Sequence, residues 1–366
     1  MDYETPQFFQ VMQYADAADR DVVDMVSGNP DWDPPDALRA GLRAYADADP
    51  AEFQYPASEG WEPLREEIAA RRGVDAGRVV VTNGAGEANH LVTTEALAGD
   101  GGSEVVLTDP VYPYYAGRVN LLGGTARYAP VDDQGRPDPE AVRAAASEDT
   151  ALVVVTNPNN PTGAVCSAET VRDLAAVAAD HDALLLCDEV YDHFDYSGRF
   201  TSALAVDAGN CVVTNSVSKS MAVTGLRVGY AVLPEELVDP VRTRHMLTNV
   251  TVSRPAQYAV HRALRETPPD YYARNRSRLT DRIEAFTDAL DAAGAEYTTP
   301  EGGFYVMARF ADFPGTLANT ERLIDEAGVA GMPGAAFGES RADWFRFALV
   351  TPRVEAAAER LGAFFA

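Results

Sequence analysis

Six short apolar runs give the middle of this 366-residue chain its rhythm: "RVVVTNG" (78–84), "EVVLTDP" (104–110), "ALVVVTNP" (151–158), "ALLLCDE" (183–189), "CVVTNS" (211–216) and "RVGYAVL" (227–233). Continuous apolar runs of this length, stopped by glycine, proline or a polar residue, read as strands buried on both faces. Helical stretches lie between them, the first from Glu87 to about Leu97. Strand and helix in alternation predict an α/β fold, a three-layer αβα large domain around a mostly parallel sheet. In such sheets ligands bind beyond the carboxyl ends of the strands. The segments at those ends are "NGAGE", "DPVYPYY", "NPNNPTG", "DEVYDHF" and "SVSKS", and polar and aromatic residues collect there.

The flanks follow another pattern. Residues 1–40 read as irregular and proline-rich, and from about residue 235 long helical stretches dominate, such as "DRIEAFTDALDAAG" (281–294). "GGFYVMARF" and "WFRFALV" then read as strands. The expected organisation is a large domain over 41–250 and a smaller α+β domain built from both termini, 1–40 and 251–366.

Charge narrows the function. Fifty-six acidic against thirty basic residues give a net charge of −26, spread along the chain and not gathered in a tail. Such a surface repels phosphate backbones and excludes nucleic acid as a partner. It resembles the surfaces of proteins from salt-rich cytoplasm, where screening tolerates self-repulsion. A GC-rich genome would explain arginine in place of lysine, but not the excess of acids. The three cysteines (Cys166, Cys187, Cys211) form no CxxC pair and suit a reducing compartment. The first residues lack the basic-then-apolar order of a signal peptide, and no apolar run reaches the roughly 18 residues that span a bilayer. A cytoplasmic location is expected.

Candidate chemistry centres on Lys219, the only lysine in the chain. It follows an apolar strand and sits among serines. Burial lowers the charge preference of an amine, which can then act as nucleophile or base, most commonly by forming a Schiff base with a carbonyl. Arginine replaces lysine as a surface cation but cannot lose its proton to do this. Ser216 lies three residues before it and Arg227 eight after, a hydroxyl and a forked cation suited to a phosphate dianion. The "NGAGE" turn adds backbone N–H groups at a helix start. No GxGxxG is present, which counts against a dinucleotide. An aldehyde and a phosphate together describe pyridoxal 5′-phosphate (PLP), which also needs a carboxylate at its pyridine nitrogen. Asp188, at the end of an apolar strand, is the candidate. The five histidines form no metal-ligand pattern.

With these residues in view, the chain resembles the class I/II (fold-type I) PLP-dependent aminotransferases nearly end to end. The resemblance rests on "SGNPD" (27–31), "YPASEGWEPLREEIA" (55–69), "NGAGEA" (83–88), "DPVYPYY" (109–115), "NPNNPTG" (157–163), "DEVY" (188–191), "SVSKSMAVTGLRVGY" (216–230), "PGAAFG" (333–338) and "WFRFALV" (344–350), in the family's order. It implies Lys219 as the Schiff-base lysine and Asp188 as the pyridinium partner. Tyr191 and Asn160 would hydrogen-bond the ring hydroxyl, and Tyr112 would stack on the ring. Ser216, Arg227 and the turn Gly84–Ala85–Gly86 would hold the phosphate, with Tyr55 reaching the phosphate of a neighbouring subunit in a homodimer. Arg346 would fork onto the substrate α-carboxylate, near Gly28 and Asn160. One departure stands out: where the family often has serine or threonine, this chain has Ala85, and Thr82 or Asn83 would have to compensate for the lost hydroxyl.

The implied reaction is ping-pong transamination, moving an amino group from an L-amino acid to a 2-oxo acid. The alternative is another reaction on the same fold: a C–S β-lyase, an amino acid phosphate decarboxylase or a cyclising synthase. Arg346, which would grip the carboxylate, argues against losing that group. A non-enzymatic regulator is disfavoured, because the resemblance begins by residue 27. Motifs do not name the donor; Tyr14, Phe53 and Phe337 are candidates for an apolar or aromatic wall.

Overall fold

A computed structural model describes residues 6–99 and 102–365. The six apolar runs become strands of one seven-stranded sheet, in spatial order Val79–Thr82, Gly229–Val232, Cys211–Ser216, Leu184–Asp188, Thr150–Thr156, Glu104–Asp109 and Thr125–Pro130. All neighbours pair in parallel except Gly229–Val232, which is antiparallel to both of its partners.

The unbroken apolar runs are explained by two packed faces. Along each strand successive side chains alternate between separate cores. Val80, Val105, Leu107, Leu152, Val154, Leu186 and Val212 pack with Leu91 and Val92 of helix Ala85–Ala98. Val79, Val81, Val106, Val153, Val155, Leu185 and Val213 pack on the other side with Leu64 and Ile68 of helix Glu62–Arg72 and Leu174 of helix Ala168–Ala179.

Thr125–Pro130 was not anticipated. It is the edge strand, its only buried residue is Ala129, and "TARYAP" therefore carries no apolar run.

The smaller unit is a four-stranded antiparallel sheet ordered Met332–Pro333, Phe345–Ala348, Tyr305–Arg309 and Glu296–Tyr297. Phe286 and Leu290 of helix Pro269–Ala292 and Leu361 of helix Val354–Phe365 close its core over Val306, Phe345 and Phe347. The chain start joins this unit through a parallel pairing of Val23–Asp24 with Val329–Ala330.

Two expectations for the flanks need correction. The segment read as irregular contains helix Gln7–Ala17, which lays Phe8, Val11 and Met12 against Val26, Ile324, Met332 and Phe337. Residues 1–5 of that segment lie outside the described residues. Helices Asp36–Ala46 and Arg254–Glu266, which the expected borders cut or assign to the small domain, pack on the large-sheet core instead. Leu38, Ala256, Ala259, Val260 and Ala263 share one cluster with Leu64 and Val81. The two helices approach so closely that a Cβ on Gly41 would lie 2.8 Å from the Cα of Ala259.

Candidate active site

The carboxyl ends of the central strands open into a cavity of about 390 Å³, a size ordinary for small-molecule sites. Lys219, Asp188, Tyr191, Ala85, Gly86, Tyr112, Asn160, Ser216, Arg227, Gly28 and Arg346 all line it. Gly84 stands just behind, with a positive φ of 79°, and a Cβ there would lie 2.4 Å from Nη2 of Arg227. That position requires glycine on both counts.

Strand ends place the chemistry. Ser216 closes strand Cys211–Ser216, and the helical turn Val217–Ser220 then turns Lys219 into the cavity. Its amine donates to the carbonyl oxygen of Gly28 at 2.7 Å. Burial, reinforced by the guanidinium groups of Arg346 and Arg227, pushes the Lys219 amine down to about 8. A carbonyl accepts a hydrogen bond without neutralising a cation, so nothing in contact with the amine holds its proton strongly.

Asp188 ends strand Leu184–Asp188 and is fully buried. Its Oδ2 accepts from Asn89 Nδ2 at 2.7 Å and from the Tyr115 hydroxyl, while Oδ1 accepts only from the Val190 amide at 3.2 Å. Asn89 is held in turn by Thr214, whose hydroxyl donates to Asn89 Oδ1 at 2.6 Å. Burial pushes the Asp188 carboxyl up, and the hydrogen bonds from Tyr115 and Asn89 oppose it. A cationic donor at Oδ1 would favour the charged form.

Arg346 belongs to strand Phe345–Ala348, between two phenylalanines that enter the small-domain core. The period of two turns Arg346 the other way, into the cavity. The ring of Tyr305 lies 4.5 Å from its guanidinium carbon and the ring of Phe337 4.9 Å. Nη1 donates to Asn160 Oδ1 at 3.3 Å, Nη2 donates to the carbonyl oxygen of Val26, and Nε is buried without a partner among the described residues. The guanidinium is held rigidly with donor capacity to spare.

Arg227 adopts a left-handed backbone (φ 54°) and donates to the carbonyl oxygens of Thr224 at 2.9 Å and Asn83 at 3.1 Å. It thereby flanks the start of helix Ala85–Ala98, whose first two N–H groups, on Ala85 and Gly86, have no acceptor within the helix. Neither residue considered as compensation for Ala85 is free. Thr82 donates to the carbonyl oxygen of Gly84 at 3.0 Å, and Asn83 Nδ2 to Glu87 Oε2 at 3.0 Å.

Some expected residues lie elsewhere. Tyr55 is 80% exposed and outside the cavity of its own chain. Of the three candidates for an apolar wall, only Phe337 is at the site. Tyr14 instead donates to Asp325 Oδ2 at 2.7 Å, and Phe53 is exposed beside Tyr45. The sequence reading also missed residues: Tyr305, whose hydroxyl shares a 3.2 Å hydrogen bond with that of Tyr191; Ser218, with a buried unpartnered hydroxyl; the Asn89–Tyr115 pair beneath Asp188; and Arg118. Tyr305, Tyr115 and Ser218 stood in segments already singled out.

Comparison with known proteins agrees with this arrangement. The family described as "Aminotransferase class I and II" matches residues 20–361. A probable aspartate/prephenate aminotransferase of Thermus aquaticus is 33% identical, over 88% of this chain and 86% of its own. An aspartate aminotransferase of Thermotoga maritima is 31% identical, over 94% and 91%. Among solved structures, a single mutant of Thermus thermophilus aspartate aminotransferase superimposes with a TM-score of 0.91 at 29% identity, covering 99% of this chain and 97% of that one. The chain belongs to the class I and II aminotransferases, and it is a PLP-dependent enzyme that acts on amino and oxo acids.

The cavity suits that cofactor. It offers an acceptor oxygen on Asp188 with room for a donor, a free hydroxyl on Ser218, and N–H groups beside Arg227 at the helix start. Among the described residues no helix is long and apolar enough to cross a membrane.

Proposed function

We propose that this enzyme takes the amino group from an L-dicarboxylic amino acid such as L-aspartate and delivers it to a 2-oxo acid in a ping-pong cycle. The observation that carries the reading is the pairing, in one cavity, of an amine lowered to about 8 with a buried guanidinium that has donors to spare. The printed names of the relatives support aspartate as donor.

PLP, when bound, supplies an aldehyde that captures amines and a ring that takes up the electron pair left at Cα. The chain's own residues do the rest. Asp188 holds the ring nitrogen, and Asn89 and Tyr115 hold Asp188. Ser216, Arg227 and the N–H groups of Ala85 and Gly86 receive the phosphate, and Tyr112 covers the ring face. Tyr191 and Asn160 orient the ring hydroxyl. Arg346 forks onto the substrate α-carboxylate, and Gly28 leaves room beside it. Lys219, as a free amine, takes the Cα proton and returns it as general base and acid. Grip on the carboxylate disfavours its loss.

Four further readings belong to the proposal. The division of domains follows packing, with 36–266 in the large unit. The enzyme is a homodimer in which Tyr55 reaches the partner's phosphate site. It is cytoplasmic. It is adapted to high salt.

The test incubates holoenzyme with L-aspartate and 2-oxoglutarate, with Lys219→Ala in parallel. Oxaloacetate and glutamate appearing in equal amounts, and absent from the variant, are the expected result. Release of ammonia, sulfide or carbon dioxide in place of a second amino acid would overturn the reading in favour of a lyase or decarboxylase.

A further inference from the structure

Four cationic side chains line the cavity: Lys219, Arg346, Arg227 and Arg118. Arg118 has no role in what precedes. It sits on helix Tyr114–Leu121, one turn after Tyr115, and its guanidinium carbon lies 5.5 Å from the Tyr115 ring centroid. Its Nη2 donates to the carbonyl oxygen of Gly86 at 3.3 Å, and its Nη1 is buried with no partner among the described residues. Burial pushes this arginine down, against the opposing influence of Tyr115 and Asp188. Space above the turn is open, since a Cβ on Gly86 would meet nothing within 4 Å.

The setting makes this unusual. The chain has 56 acids for 30 bases, and its arginines widely find carboxylates, as Arg72, Arg282 and Arg353 do. The three arginines of the cavity do not: among the described residues none forms an ion pair. A desolvated cation without an anion is costly. Arg346 is buried, Arg118 is part-buried with its Nη1 fully covered, and Arg227 is exposed, so three unpaired arginines facing one cavity leave places for three anionic groups from outside the chain. A cofactor phosphate and an α-carboxylate account for two.

We propose that Arg118 binds the distal carboxylate of a dicarboxylic substrate and so sets donor specificity. This rests on the dicarboxylate reading above. The phosphate is the competing occupant. Arg227 already flanks the turn at Asn83 and Gly84, and Ser216 adds a hydroxyl. Arg118 approaches at Gly86, from the helix that follows the tyrosine wall.

The experiment compares holoenzyme with Arg118→Gln and Arg118→Lys, using L-aspartate and its uncharged isostere L-asparagine as donors. Succinate and butyrate binding are measured alongside by calorimetry, and PLP dissociation by fluorescence. In Arg118→Gln the ratio of kcat/KM for aspartate over asparagine falls about 10- to 100-fold, the size of a lost charged hydrogen bond. Succinate weakens similarly and butyrate does not. Arg118→Lys retains part of the ratio, because the charge survives and the fork is lost. An unchanged ratio with unchanged succinate binding overturns the assignment. Weaker PLP binding with equal losses on both donors also overturns it, and gives Arg118 to the phosphate. A wild-type enzyme that transaminates other amino acids but neither aspartate nor glutamate sinks the dicarboxylate reading itself.

Discussion

The amine of Lys219 donates to the carbonyl oxygen of Gly28, a residue 191 positions away in the chain, at 2.7 Å. One end of this contact hangs from the large sheet and the other from the segment that joins the small one. A Cβ on Gly28 would lie 2.1 Å from the Tyr305 hydroxyl and 3.6 Å from Lys219 Nζ. Three residues from three regions of the chain share a space with no room for one more carbon.

The first consequence concerns pH. The proton leaves the Lys219 amine near pH 8 instead of the usual 10.5. Only the neutral amine attacks a carbonyl, so lowering the pKa enlarges the reactive fraction at neutral pH. The rate at which apoprotein captures PLP is expected to rise about tenfold per pH unit below 8 and level off above it. Stopped-flow absorbance across pH 6–11 measures this. A rate still climbing at pH 10 would mean that the amine is not perturbed.

Gly28→Ala is expected to reduce kcat/KM by at least about tenfold, since overpacking forces neighbours off their rotamers. The clash is with a hydroxyl, so adding Tyr305→Phe should restore most of the loss. With the oxygen gone, the nearest ring atom stands at 3.3 Å. Failure of the double variant to recover would place the damage elsewhere, in the backbone around Gly28.

Tyr55 is tested by mixing subunits. Tyr55→Phe and Lys219→Ala are each expected to be weak or inactive alone. If Tyr55 serves the neighbouring site, a hybrid dimer contains one complete wild-type site, and denatured and refolded mixtures regain activity beyond the sum of the parents. If it serves its own subunit, the hybrid gains nothing.

Salt dependence follows from the net charge of −26. Exposed pairs such as Arg353–Asp21 weaken as salt rises, but such pairs contribute little. Repulsion among the surplus acids is screened by the same salt, from a Debye length of about 10 Å at 0.1 M to about 3 Å at 1 M. The second effect should win. The Tm is expected to rise by roughly 10 °C or more between 0.1 and 2 M KCl. A Tm that falls or stays level would remove the case for a salt-adapted surface.

Much of this protein was readable in one dimension. The alternation that divides Val79, Val80 and Val81 between two cores is written as an unbroken apolar run. The segments that end those runs carry most of the cavity's lining. Both follow from local rules: strand periodicity acts over a few residues, and a ligand site at strand ends needs no knowledge of the partner strand.

Other features are set by contacts between distant segments. The edge strand Thr125–Pro130 is stabilised by its neighbour Glu104–Asp109, so its own sequence need not be apolar. Helix Gln7–Ala17 buries a narrow face with a single fully buried residue, too weak a pattern to read before its partners are known. Helix Arg254–Glu266 joins the large domain because Ala259 meets Gly41, which no spacing announces. Tyr305, Ser218 and Arg118 became visible only through what surrounds them: a ring over Arg346, a hydroxyl and a guanidinium nitrogen left without partners. The sequence by itself determined the fold class, the lone lysine and the order of the motifs, because these are carried by residue type and short-range spacing. The tertiary structure alone decided which charges face the cavity unpaired, since whether a side chain is paired there depends on which distant segments the fold brings beside it.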